Sequence, residues 1–98
     1  MKSVKNENIN TLTANEINTL ILMAGCTGLE FARVLGVTEM TVNRWEQGQV
    51  KPSPEATARL IELRELLMGM DEDGQAEHAA AVIEGRVVEW LKRMMNAE

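Results

Sequence analysis

The side chains most suited to chemistry fall in one nine-residue stretch, 39–47, which reads Glu-Met-Thr-Val-Asn-Arg-Trp-Glu-Gln. Wound at 3.6 residues per turn, Val42 and Trp45 point the same way, and Glu39, Met40, Asn43, Arg44 and Gln47 form the opposite face. That outer face is not the usual Glu/Lys surface, because it carries one Arg, two amides, a Met and a Glu. An Arg can bond bidentately to guanine O6 and N7, a Glu can accept from cytosine N4, and a Met can lie against a thymine methyl. Elsewhere the residues offer no Ser/His/Asp set, no phosphate-cradling loop and no clustered metal ligands, so neither an enzyme nor a cofactor is expected. His78 is the one histidine and is read as a surface or partly packed side chain. Cys26 is the one cysteine and is read as a small buried hydrophobe.

The elements that must position this face can be read from their ends. Thr13-Ala14-Asn15-Glu16 and Thr27-Gly28-Leu29-Glu30 both have the form of a capping box. The first opens a helix over about 14–24, with Ile17, Leu20, Ile21 and Ala24 spaced by threes and fours and Gly25 as its stop. The second opens a helix carrying Leu29, Phe31, Ala32 and Leu35, closed at Gly36. Val37 plugs the turn, and Thr38 caps a third helix over 39–47 that ends at Gly48. Two short helices joined by a Gly-containing turn have the layout of a helix-turn-helix. Ser53-Pro54 then starts a fourth helix over about 54–69, with Ala56, Leu60, Leu63, Leu67 and Met70 as its stripe.

The acidic run Asp71-Glu72-Asp73, ending at Gly74, is read as a solvated turn. Beyond it a single amphipathic helix is expected over about 75–96, with Ala76, Ala80, Ile83, Val87, Trp90, Leu91 and Met94 on one face. Three parts result: a flexible arm over 1–11, a helix-turn-helix domain over 12–70, and a C-terminal helix over 71–98 for packing or dimerisation. No apolar run reaches the roughly 20 residues that span a membrane, the first residues lack a signal-peptide core, and a single Cys fits a reducing compartment, so we expect a cytoplasmic protein with no membrane partner. The net charge of −5 is uneven. Residues 71–98 hold seven acids against three bases, whereas residues 1–54 balance at five of each. No segment is strongly basic, so tight binding to a polyanion should need two copies of the reading surface.

The stretches Gly36-Val37-Thr38, Thr41-Val42-Asn43-Arg44-Trp45-Glu46-Gln47-Gly48 and Lys51-Pro52-Ser53 resemble the Cro/CI-type (XRE) helix-turn-helix regulators. Within that family, residues 30–48 look similar to the DNA-binding domain of MqsA/YgiT-type antitoxins. The resemblance covers about 12–68 and implies an all-α, lambda-repressor-like bundle with an additional C-terminal amphipathic helix. It also implies a homodimer on a two-fold double-stranded DNA operator, with the third helix in the major groove. Carried over by position, Glu39, Met40 and Arg44 read bases with Asn43 at the edge, and Thr27, Thr41, Gln47 and Lys51 face phosphates. Where many relatives carry Gln, this chain has Gly28, whose helix-end amides can still meet a phosphate. Many relatives also have a base in helix 1 that pairs with the Glu after Trp. Helix 1 here has none, so Glu46 either pairs with Arg33 or is solvated. The paired Cys-x-x-Cys motifs of the MqsA zinc domain are absent. The function expected is a sequence-specific repressor or autoregulator. Ile83, Val87, Trp90, Leu91 and Met94 are expected to pack on the bundle or form the homodimer, and the alternative is an antitoxin or adaptor that binds a cognate toxin or other protein through the same helix.

Overall fold

The computed structural model describes residues 12–96. The N-terminal arm expected over 1–11 lies outside the described residues. Among the described residues there are six helices and no strand: α1 (Ala14–Ala24), α2 (Gly28–Leu35), α3 (Glu39–Glu46), α4 (Pro54–Met68), α5 (Glu72–Ile83) and α6 (Val87–Asn96).

Side-chain caps set where most of these helices begin. Both capping boxes close in full: Thr13 N–H donates to Glu16 Oε1 at 2.8 Å, and Thr27 N–H donates to Glu30 Oε1 at 2.9 Å. In each case the threonine hydroxyl accepts the N3 amide at 3.1 Å. Thr38 caps α3 and Ser53 caps α4, with Pro54 where a missing N–H is harmless. Gly25 and Gly36 end α1 and α2 with φ near +70°, a backbone state that costs glycine little and other residues about 1–2 kcal/mol. α1 and α2 meet at 94°.

One apolar core joins all six helices. From α1 it takes Ile17, Leu20, Ile21 and Ala24, the four positions its spacing marks. α4 gives Ala56, Leu60, Leu63 and Leu67. α2 gives Phe31, Ala32, Val34 and Leu35, while Leu29, expected on that stripe, is 42 % exposed. Leu29 sits in the first turn of α2. Fully burying an aliphatic or aromatic side chain is worth about 1.5–3 kcal/mol, so Ile17, Phe31, Leu60, Leu63 and Leu91 carry much of the stability.

The C-terminal region differs from the single helix expected over 75–96. Asp71 caps α5 through Gly74 N–H at 2.8 Å, so the acidic run is the cap and first turn of a helix rather than a bare turn. The helix then breaks at Glu84-Gly85-Arg86, where Gly85 adopts φ +76° and Arg86 N–H bonds back to Ala81 C=O at 2.9 Å. The left-handed residue turns the chain, so the apolar positions before and after it no longer share a face. Val87, Val88, Trp90 and Leu91 are buried within the chain, and Met94 is half-buried against the same core. Ile83, placed on the same stripe by periodicity, is 84 % exposed. Helix α6 packs on α2 and α4 as part of the domain. Helix α5 lies more peripherally and is tied to the end of α1, where the His78 imidazole meets Ala24 C=O at 2.8 Å and rests on the Trp90 ring.

Candidate nucleic-acid interface

Helix α3 is anchored on one side only. Val42 and Trp45 are buried, and Asn18 of α1 donates its amide to the Glu46 carbonyl at 3.5 Å. Asn18 therefore links α1 to the end of α3 where an ion pair was considered. Glu46 makes no ion pair with Arg33, since the one salt bridge among the described residues joins Arg86 to Glu84. With its back fixed, α3 turns Glu39, Met40, Asn43, Arg44 and Gln47 to the surface. Met40 is 61 % exposed, a large apolar side chain left in water. Arg44 is exposed and has no carboxylate within 4.0 Å among the described residues, so its five donors are free.

The amides on this face are ordered by one another. Gln49 Nε2 donates to Gln47 Oε1 at 2.9 Å, and Gln47 Nε2 donates to Asn43 Oδ1 at 3.4 Å. The chain of bonds occupies the Asn43 oxygen and leaves its Nδ2 donors pointing away from the relay. Gln49 was not among the residues singled out from the sequence. It stands two residues past Gln47 in a loop, where no helical or strand period flags it. Its backbone N–H also closes α3 by bonding to Arg44 C=O at 2.9 Å.

The residues expected to meet phosphates divide into those with free groups and those partly engaged. Thr41 is half-buried and shares a hydrogen bond with Thr38, hydroxyl to hydroxyl, at 2.9 Å. One hydroxyl proton of that pair remains to donate outward. Lys51 is exposed in the loop between α3 and α4. Gly28 is half-buried, and a Cβ there would meet no other element of the fold within 4 Å, which leaves room beside the first amides of α2. Thr27 is more constrained: its N–H is taken by Glu30, whose carboxylate also sets a negative charge at the helix end an anion would approach. Cys26, beside it, is half-buried rather than fully buried. Burial, and secondarily Glu30, push its thiol up to about 12, so it is inert near neutral pH. Among the described residues no group of His, Cys, Asp and Glu could hold a metal ion.

This arrangement is two short helices joined by Gly36-Val37-Thr38, the second held from behind by Val42 and Trp45 and free in front. Neither the curated proteins nor the solved structures return a match to the chain. Residues 19–67 match the family model described as Helix-turn-helix, which takes in α2, α3, the second half of α1 and nearly all of α4. That match covers half of the chain and coincides with the one-sided anchoring of α3, and the protein belongs to the Cro/CI-type helix-turn-helix family of DNA-binding regulators.

Proposed function

We propose that this protein is a sequence-specific repressor that regulates its own promoter and reads the major groove with α3. The observation that carries this reading is the face of Glu39, Met40, Asn43, Arg44 and Gln47, exposed on a helix whose opposite side is locked into the core. Arg44 reads a guanine, Met40 lies against a thymine methyl, Glu39 accepts from a cytosine, and Asn43 supplies its free donors at the edge. Thr41, Gln47, Lys51 and the first amides of α2 at Gly28 hold phosphates, with Thr27 contributing its hydroxyl. The near-balance of charge over residues 1–54 leaves one copy too weak to hold DNA, so two copies bind a two-fold operator.

The second reading, an antitoxin or adaptor acting through the C-terminal helix, has less to stand on. Val87, Trp90 and Leu91 are used inside the chain, which leaves Ile83 and part of Met94 for a toxin or a second copy. Kinship with MqsA/YgiT-type antitoxins would add a toxin partner, and it rests on residues 30–48 alone.

Selection from a randomised duplex library by the purified chain tests the proposal. Enrichment of a two-fold sequence, with half-sites about one helical turn apart, supports it. Recovery of no sequence above background at low salt contradicts it.

A further inference from the structure

Three basic residues line one small cleft on another part of the molecule. The cleft lies between α2, α4 and α6, encloses about 280 Å³, and is lined by Arg33, Val34, Gly36, Arg59, Lys92, Met95 and Asn96. Three of these seven residues are basic and none is acidic, in a chain whose net charge is −5. Glu30, Glu55, Glu62 and Glu89 lie about one turn away on the same helices, yet among the described residues none comes within 4.0 Å of these cations. The Arg59 guanidinium reaches over Gly36, with Nη1 3.9 Å from where a Cβ there would stand, at the carbonyl end of α2. A helix end of that kind carries about half a negative charge, too little to offset three positive ones.

We propose that this cleft binds a small, multiply charged phosphate-bearing molecule. Three helices each supply one cation, so the donors approach from three directions. That suits the three oxygens of a terminal phosphate better than the two coplanar oxygens of a carboxylate, and Asn96 adds an amide at the rim. The volume lies just below the usual range of small-ligand sites, about 300–1,000 Å³, which limits the ligand to a small one. The seat is separate from the groove-reading face. Arg33 and Gly36 mark the C-terminal end of α2, about 10 Å along the helix from the amides at Gly28, given 1.5 Å per residue. Occupancy would join α6 to α2 and α4 and relieve the repulsion among the three cations, so a ligand here would stabilise the folded domain.

Calorimetric titration of the full chain with inorganic pyrophosphate tests it, with citrate as the carboxylate control. One site per chain is expected, with Arg33→Ala and Arg59→Ala each weakening it about tenfold or more and Arg44→Ala leaving it unchanged. At about ten times the measured Kd, pyrophosphate raises the Tm by about 6–11 °C. The three cations are exposed, so the variants should retain the wild-type circular dichroism spectrum; Lys92→Gln serves in place of either arginine variant that does not. No binding at millimolar pyrophosphate, equal binding by the variants, equal binding of citrate, or loss of binding with Arg44→Ala would each overturn the proposal.

Discussion

Ile83 and Leu91 are both large apolar residues placed by periodicity on one C-terminal stripe, and truncating each should have very different effects. Leu91 has no exposed surface, and replacing it with Ala leaves a cavity among core side chains of the same chain. Such truncations cost 2–5 kcal/mol, and about 3 kcal/mol is expected here. A domain of this size has a total stability of about 5–15 kcal/mol, so the loss is a large part of it. The corresponding fall in Tm is about 12–24 °C. Ile83 is 84 % exposed at the last position of α5, so Ile83→Ala should stay within about 0.5 kcal/mol of wild type. Urea unfolding followed by tryptophan fluorescence suits the comparison, since Trp45 in α3 and Trp90 in α6 are both buried and report from different helices. Coincident transitions in Trp45→Phe and Trp90→Phe backgrounds would establish that α6 unfolds with the helix-turn-helix. A cost below 1 kcal/mol for Leu91→Ala would refute the placement of α6 in the core. A cost above 2 kcal/mol for Ile83→Ala at a protein concentration too low for self-association would refute the break at Gly85.

Gly85 and Gly25 form a second test, because both have positive φ but different surroundings. A Cβ at Gly85 meets nothing within 4 Å, so Gly85→Ala should cost only the left-handed backbone penalty, about 1–2 kcal/mol. A Cβ at Gly25 would stand 2.7 Å from Val82 Cγ2, so Gly25→Ala should cost about 2–4 kcal/mol, measured in the same unfolding assay. Cys26 gives a pH-dependent prediction. Its thiol titrates near 12 in the fold against 9.0 for the free group, so the neutral form favours folding below pH 9 and that contribution is lost as pH rises from 9 toward 12. Alkylation by iodoacetamide at pH 8.5 should accordingly be slow in the native protein and speed up at least tenfold in urea; equal rates would contradict the burial.

Much of this fold is written locally. The two threonine–glutamate boxes, Thr38, and Ser53 before Pro54 place the starts of α1 to α4 without any tertiary information, because each is a short-range hydrogen bond set by residue type and spacing. The reading face of α3 follows from the same logic once Val42 and Trp45 are assigned inward. Contacts between elements are less visible. The break at Gly85 had a sequence signal, a glycine inside an apolar period, but a lone glycine in a helix is often tolerated and the surrounding spacing continued through it. The apolar period could not say whether the stripe faced this chain or another, since both need the same residues. The link from Asn18 to Glu46 and the amide relay from Gln49 to Asn43 depend on how helices and a loop come together, and no local pattern encodes them.

Removal of the Arg44 guanidinium tests the central claim most directly, measured as equilibrium binding of wild type and Arg44→Ala to the selected duplex and to versions changed at each guanine. Arg44 is exposed and unpaired among the described residues, so its loss should leave the Tm unchanged. Affinity for the selected duplex should fall by about 1–3 kcal/mol, or about 5- to 150-fold, with discrimination erased at one guanine per half-site. Undiminished affinity with discrimination intact would mean that α3 does not read DNA through this face.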